Sequence, residues 1–221
     1  MQAPATMQAP AMRGANPSVS IIDDDPEFRD SVGRLLRSVG LDTRQFSSVP
    51  EFLKADPSDG PTCLVLDIRM PGGSGLELQR DLAAANRQVP IIFITAHADV
   101  PMTVQAMKGG AIEFLTKPFR DQELLDAVDA GLARDRARRE SDRALTALKE
   151  RFEMLSSRER EIMIEVTAGR LNKQIAADIG IAESTVKVHR TNLMRKMQAR
   201  SLPELSRMAD VLRLTRARSP Q

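Results

Sequence analysis

The stretch Ser18-Val-Ser-Ile-Ile-Asp-Asp24 decides the fold class, because a short run rich in apolar residues ends abruptly in two carboxylates. Three later runs end in the same way, each followed directly by a polar residue: Asp67 after 63–66, Thr95 after 91–94 and Lys117 after 111–116. Short runs of this kind, rich in β-branched residues, indicate buried strands of a parallel sheet. In an open α/β sheet the ligand crevice lies at the carboxyl ends of the strands. The sequence therefore predicts that these polar side chains meet at one sheet edge and form a site.

Helix-like segments follow the strand-like runs between residues 19 and 120. Apolar residues recur there at three- and four-residue spacing, which predicts helices over 26–38, 50–55, 74–85, 100–108 and from 121 onward. Fivefold alternation of strand and helix with short turns is typical of a doubly wound α/β domain. We therefore expect a five-stranded parallel sheet. The single cysteine, Cys63, lies in the predicted third strand and is expected to pack as a small hydrophobe.

The charge is uneven along the chain. Residues 1–120 carry 12 basic and 14 acidic side chains, whereas residues 155–221 carry 13 basic and 7 acidic ones. A basic carboxyl-terminal domain suggests a polyanionic partner, although a basic surface without such a partner stays open on charge alone. Helical spacing predicts three or four helices in this part, over 157–168, 172–179, 183–197 and 202–212. Gly180 supplies a tight turn between two of them, which is the helix-turn-helix pattern.

Five segments follow from these patterns: a disordered extension (1–17), an α/β domain (18–134), a helical linker (135–154), a helix-turn-helix domain (155–212) and a tail (213–221). An apolar stripe of heptad-like spacing crosses the end of the linker, at Leu145, Leu148, Phe152 and Leu155. It predicts either a solvated helix that docks lightly or a dimer seam. The sequence contains neither a membrane-spanning apolar run nor a signal peptide, so we expect a cytoplasmic protein with no membrane partner.

The predicted sheet edge is strongly acidic. Asp23, Asp24 and Asp67 would repel one another unless a hard cation neutralises them, and a site of oxygen ligands suits Mg²⁺. A magnesium ion that bridges a carboxylate and a phosphoryl oxygen would favour in-line transfer onto that carboxylate. Lys117 would then pair with the phosphoryl group, and Thr95 would form a hydrogen bond with one of its oxygens.

Four motifs at these positions resemble the receiver domain of response regulators in order and spacing: Ile22-Asp-Asp-Asp-Pro26, Leu66-Asp-Ile-Arg-Met-Pro-Gly72, Ile94-Thr-Ala96 and Leu115-Thr-Lys-Pro-Phe119. The resemblance implies that Asp67 is the phosphoacceptor. It implies that Asp24 binds Mg²⁺ directly and Asp23 mainly through water, with the backbone carbonyl of Arg69 as a further ligand. Thr95 and Lys117 would bind the phosphoryl group, and Phe114 matches the aromatic switch position that responds to Thr95.

The carboxyl-terminal part is similar to the LuxR-type helix-turn-helix domain, through Leu155-Ser-Ser-Arg-Glu-Arg-Glu161, Gly169, Asn172-Lys-Gln-Ile-Ala176 and Ser184-Thr-Val-Lys-Val-His189. A recognition helix of this kind enters the major groove of DNA. By resemblance, three residues point at bases: Lys187, Val188 and Thr191. Four more are expected to contact phosphates, which position the helix without reading the sequence: Ser184, Thr185, Arg190 and Lys196.

Together these resemblances imply a phosphorylation-activated transcriptional regulator of the FixJ/NarL type. A sensor histidine kinase would phosphorylate it, and it would dimerise through a receiver face that includes Val104 and Lys108. The dimer would bind promoter DNA and act, with RNA polymerase as a further partner, most often as an activator. Its only catalysis would be its own Mg²⁺-dependent phosphorylation and dephosphorylation.

Two other classes of function stay open at this point. A Mg²⁺-dependent phosphohydrolase would also use Asp67 as its nucleophile, but such enzymes usually carry a second acid two residues later, where this chain has Arg69. A constitutive DNA-binding protein with an inactive receiver is disfavoured because both Asp67 and Lys117 are present.

Overall fold

A computed structural model describes residues 16–71 and 73–214. The predicted extension, apart from its last two residues, and most of the predicted tail lie outside these residues. Contacts group the described residues into two compact units, which adjoin in the sequence between Arg139 and Glu140. In the part of the chain that the structure describes, no helix is long and apolar enough to cross a membrane.

The first unit is built on a five-stranded parallel sheet, as predicted. Its strands are β1 (Ser18–Ile22), β2 (Asp42–Phe46), β3 (Thr62–Asp67), β6 (Ile91–Thr95) and β7 (Glu113–Thr116), in the spatial order β2-β1-β3-β6-β7. Two short antiparallel strands, β4 (Arg69–Met70) and β5 (Gly73–Ser74), follow β3 directly and were not predicted. The chain order reverses beside β1, so the carboxyl ends of β1 and β3 flank the place where such sheets bind their ligands.

Helices cover both faces of this sheet: α1 (Pro26–Ser38), α2 (Val49–Lys54), α3 (Gly75–Ala84), α4 (Val100–Lys108) and α5 (Asp121–Glu153). Alternate residues of each central strand belong to two separate apolar clusters, as the twofold period of a strand requires. Val65 and Ile92 lie in one cluster, whereas Leu66 and Phe93 lie in the other. This two-sided burial explains why the central strands read as nearly continuous apolar runs.

Helix α5 packs closely on the sheet at Gly131. A Cβ atom at this position would lie 2.6 Å from the sulfur of Cys63, so only glycine permits this approach without a shift. Cys63 is fully buried in the core, as predicted from its place in a strand, and burial raises the pKa of its thiol to about 12. It therefore acts as a packed hydrophobe rather than as a nucleophile.

The second unit contains four helices among its described residues besides the end of α5: α6 (Ser157–Thr167), α7 (Asn172–Ile179), α8 (Glu183–Met197) and α9 (Leu202–Val211). Gly180 ends α7 in the left-handed region, with a φ of 67°, which allows the sharp turn before α8. Leu148 and Leu155 are buried in the core of this unit, and Phe152 packs against it. Three of the four residues of the apolar stripe therefore pack within their own unit, and the dimer seam stays a prediction.

Candidate functional site

Three carboxylates converge where β1 and β3 end. Asp23, Asp24 and Asp67 each offer an oxygen atom within 4.8 Å of the others. Asp23 is buried, Asp67 is nearly buried and Asp24 is exposed. Carboxylate oxygens that converge at this distance, with one side open to water, suit a hard divalent cation such as Mg²⁺. The residues present therefore fit the metal that the sequence predicted.

Lys117 joins this cluster from the end of β7. Its ammonium nitrogen lies 2.6 Å from Asp23 Oδ2 and 3.3 Å from Asp67 Oδ2. Burial raises the pKa of Asp23 above its ordinary value, although the hydrogen bond from Lys117 acts in the opposite direction. A buried carboxylate with a raised pKa gains from a nearby cation, which favours its charged form. The electrostatics of the site therefore favour a cation beside Asp23.

The remaining carboxylate oxygens are oriented by the loops that follow each strand. Asp23 Oδ1 accepts a hydrogen bond from the backbone N–H of Asp25 at 2.9 Å. Asp67 Oδ1 accepts one from the backbone N–H of Arg69 at 3.0 Å. Each carboxylate thus turns one oxygen to its own loop and the other to Lys117, which fixes the orientation of both groups.

Thr95 and Phe114 occupy neighbouring strands on one face of the sheet. Asp67 pairs in register with Ile94, so Thr95 follows the position opposite Asp67. Thr95 is only 1% exposed, and its hydroxyl oxygen accepts a hydrogen bond from the backbone N–H of His97. Phe114 pairs with Phe93, whose ring centroid lies 6.4 Å from its own. Because alternate residues share a face, Thr95 and Phe114 lie on the same side of adjacent strands.

Helix α4 presents an apolar stripe to solvent. Its one buried residue is Ala106, whereas Val100 is 76% exposed and Val104 and Met107 are each 43% exposed. Lys108 is exposed as well. Val104 and Lys108 are predicted from the sequence to lie on the dimer face, whereas Val100 and Met107 are not among the predicted residues. Their spacing of four and three residues is the signal that could have revealed this stripe.

Helix α8 turns one face to the core and the other to solvent. Val186, Leu193 and Met197 are fully buried. Five of the residues predicted to contact DNA lie on the exposed side: Ser184, Thr185, Lys187, Val188 and Thr191. A helix with an exposed polar face and a single projecting apolar residue, Val188, provides hydrogen-bonding groups and a methyl contact for base edges.

The other two predicted DNA contacts are half-buried and have partners within the unit. Arg190 donates a hydrogen bond to the side-chain oxygen of Asn172 at 3.1 Å. The ammonium group of Lys196 donates to Glu159 Oε2 at 2.7 Å and to the carbonyl of Met154 at 3.2 Å. Burial acts to raise the pKa of Glu159, but the hydrogen bonds from Lys196 and Ser156 outweigh it and hold this pKa below its ordinary value. A phosphate would have to compete with Glu159 for Lys196.

Comparisons with known proteins agree with both halves of this arrangement. Residues 19–129 match the family described as the response regulator receiver domain. Residues 153–209 match the family described as bacterial regulatory proteins, luxR family.

Individual relatives extend over most of the chain. The chain is 54% identical to nodulation protein W of Bradyrhizobium diazoefficiens over 194 residues, which cover 88% of this chain and 86% of the relative. It is 45% identical to the transcriptional regulatory protein FixJ of Azorhizobium caulinodans, over 86% of this chain and 90% of the relative. Its structure is similar to that of the response regulator StyR, with a TM-score of 0.82, 47% identity and coverage of 89% and 99% of the two chains. The chain therefore belongs to the response regulators of two-component systems that join a receiver domain to a LuxR-type DNA-binding domain, and it is a transcriptional regulator.

Proposed function

We propose that this regulator is switched on by phosphorylation of Asp67 by a sensor histidine kinase. One observation carries the proposal: an Asp67 oxygen lies beside an ammonium group and two further carboxylates at a sheet edge. In the transfer, a carboxylate oxygen of Asp67 forms a new P–O bond while the P–N bond of the kinase phosphohistidine breaks. The imidazole leaves with the electron pair of that bond, so the charges balance.

The surrounding residues have separate roles. Asp23, Asp24, Asp67 and the backbone carbonyl of Arg69 would hold Mg²⁺, which neutralises charge on the phosphoryl oxygens when bound. Lys117 already lies within reach of Asp67, and its ammonium group pairs with the phosphoryl group once that group is attached to Asp67. Thr95 binds a second phosphoryl oxygen.

The Thr95 hydroxyl couples phosphorylation of Asp67 to the surface of the receiver domain. When Thr95 turns toward the phosphoryl group, Phe114 on the adjacent strand moves into the space that Thr95 leaves. This movement changes the face formed by α4, β7 and α5, where Val104 and Lys108 lie. The exposed apolar stripe of α4 then forms a dimer interface, because burying such a stripe against a second copy removes it from water.

Dimerisation brings two α8 helices to neighbouring half-sites of promoter DNA. Lys187, Val188 and Thr191 read bases, and the remaining predicted contacts bind phosphates. If the dimer neutralises six to ten phosphates, raising the salt concentration from 50 to 200 mM should lower its affinity for DNA by a factor of roughly 10³–10⁵. The bound dimer activates transcription through contact with RNA polymerase.

Labelling by a small phosphodonor tests the phosphoacceptor directly. We expect acetyl phosphate with Mg²⁺ to label the wild-type protein at Asp67, as mapped by mass spectrometry after reduction with borohydride. Asp67→Asn should not be labelled, because an amide is a poor nucleophile. Asp81→Asn, which removes an exposed carboxylate on α3, serves as the control and should be labelled normally. Label on another residue of the wild-type protein would contradict the proposal.

A further inference from the structure

Lys117 has a third partner that is not a carboxylate. Its ammonium nitrogen lies 3.6 Å from the centroid of the Phe28 ring, which is within the range of a cation–π contact. The side chain of Lys117 is only 20% exposed, so this contact is partly shielded from water. The ammonium group is therefore held between two carboxylates, Asp23 and Asp67, and the face of an aromatic ring.

The Phe28 ring is held in place independently of the lysine. Phe28 lies in the first turn of α1, where its backbone N–H donates to the capping side chain of Asp25 at 3.3 Å. The rings of Phe28 and Phe119 pack edge to face, with their centroids 6.1 Å apart and their planes at 85°. Both rings pack against the apolar cluster that includes residues of α1 and α5. The ring is thus a fixed surface against which the lysine rests.

The Phe28 ring differs from the two carboxylates because it is neutral and carries no oxygen atom. Asp23 and Asp67 hold Lys117 through carboxylate oxygens, and in the proposed function these two carboxylates would also serve Mg²⁺ and the incoming phosphoryl group. An aromatic face offers a cation its quadrupole and has no oxygen to give to a metal. Its attraction for the ammonium group therefore persists when the carboxylates are engaged elsewhere.

We propose that Phe28 is a positioning residue, whose ring keeps the Lys117 ammonium group beside Asp67 while the carboxylates serve Mg²⁺ and the phosphoryl group. The proposal rests on the proposed phosphorylation of Asp67. It gives Phe28 a role that packing alone does not, because the contact depends on the charge distribution of the ring as well as on its shape. The role of Phe28 can therefore be tested by changing the charge distribution of its ring while keeping its shape.

Fluorinated phenylalanines separate charge distribution from shape. Each added fluorine weakens the negative ring face and changes the ring size little, and Phe28 lines a cavity of about 680 Å³. We expect the rate of Asp67 phosphorylation by acetyl phosphate with Mg²⁺ to fall stepwise through mono-, di- and trifluorinated Phe28. The total loss should be about threefold to tenfold, which corresponds to about 0.6–1.4 kcal/mol at 1.36 kcal/mol per tenfold change.

The matched control is the same series at Phe52, whose ring packs edge-to-face on Phe46 and has no cation over it in the described residues. There the rate should not change. All proteins of the Phe28 series should remain fully folded at the assay temperature, as their unfolding midpoints will show, so that a slower rate does not reflect unfolded protein. A second measurement avoids phosphorylation: the side-chain CH₂ protons of Lys117 should show ring-current shifts in NMR spectra, retained after Mg²⁺ is added and lost in Phe28→Leu.

The outcomes are distinguishable. A rate independent of fluorination, with Asp67 still labelled, would overturn the role of Phe28 and leave the proposed function intact. Ring-current shifts that disappear when Mg²⁺ is added would overturn it as well, because the ring would not hold the lysine in the loaded site. A wild-type protein that is not labelled at Asp67 would remove the proposed function and this inference with it.

Discussion

Replacing Asp135 by asparagine should destabilise the receiver unit more than any other single charge removal on α5. The Asp135 carboxylate is fully buried and accepts hydrogen bonds from the backbone N–H of Thr62 at 2.9 Å and from two arginines. The closest contacts are 2.6 Å to Arg138 Nη2 and 2.6 Å to Arg139 Nε. Arg139 also donates to the carbonyls of Ser58 and Asp59. This one carboxylate therefore ties α5 to the amino end of β3 and organises the arginines around it.

The magnitude follows from this environment. Removing one partner of a buried ion pair costs about 3–5 kcal/mol. The two arginine side chains are 32% and 23% exposed, so water partly compensates them, and we expect the lower end of that range, about 3 kcal/mol. For a domain of this size the loss corresponds to a fall of about 10 °C in Tm. Differential scanning calorimetry of the full chain measures it.

The pH dependence has a definite sign. Burial acts to raise the pKa of Asp135, but hydrogen bonds from Arg138, Arg139 and Thr62 outweigh it, so the folded pKa lies below the ordinary value of 3.8. A depressed folded pKa contributes stability above the unfolded pKa, and this stability is lost as the pH falls through the folded value. The difference in Tm between wild type and Asp135→Asn should therefore shrink below about pH 4.

Asp129→Asn is the matched control, because Asp129 is an exposed aspartate on the same helix. It should change Tm by no more than about 1–2 °C. If Asp135→Asn shifted Tm no further than this control, or if its effect grew as the pH fell, the reasoning about the buried carboxylate would be refuted.

Three other predictions concern the DNA-binding unit. Lys187→Ala should relax base discrimination at one position per half-site by about 1–3 kcal/mol, as measured by binding to single-base variants of the site. Glu159→Gln should lower the free energy of unfolding of this unit by about 1–3 kcal/mol at neutral pH, because it weakens a nearly buried ion pair with Lys196. Calorimetry should show this loss as a shift of an unfolding transition that Asp135→Asn leaves unchanged. A fragment of residues 140–214 should unfold at a higher urea concentration than residues 155–212, because only the longer one keeps Leu148 in the core.

Each of these has a contradicting result. Equal binding of Lys187→Ala and wild type to all site variants would place this side chain away from the bases. An unchanged calorimetric profile for Glu159→Gln would mean that the ion pair with Lys196 contributes nothing. Equal midpoints for the two fragments would show that the end of α5 is not part of the folded unit.

The sequence predicted that Asp23, Asp67 and Lys117 converge, because each lies at the carboxyl end of a strand; their functional roles stay predictions. An apolar run predicts a strand, and a parallel sheet brings the carboxyl ends of its strands to one edge. Asp23, Asp67 and Lys117 therefore meet in the structure, although 94 residues separate the first from the last. Helices α1, α4, α7 and α8 also begin and end at the predicted residues, since caps and turns near their ends are local signals.

Other features could not be predicted, because they depend on contacts between distant segments. The alternation predicts a second strand between the helices 26–38 and 50–55, but the bounds of β2 (Asp42–Phe46) could not be read from the sequence, because this strand is largely polar and forms by pairing at the edge of the sheet beside β1. In the sequence Asp135 is one of many charged residues of α5, and only its hydrogen bond with the backbone of Thr62 in the structure distinguishes it from the others. Lys196 reads as a solvated basic residue, and only the packing of α6 against α8 shows that Glu159 binds it. The contact of Lys117 with Phe28 is equally long-range.

The central claim is that a change at Asp67 controls the association of two chains. Analytical ultracentrifugation with Mg²⁺, with and without the phosphoryl mimic beryllofluoride, tests it on the wild type and on Asp67→Asn. We predict a shift from monomer to dimer when beryllofluoride is added to the wild-type protein, and no shift in Asp67→Asn. A wild-type protein that stays monomeric, or a variant that dimerises to the same extent, would contradict the claim.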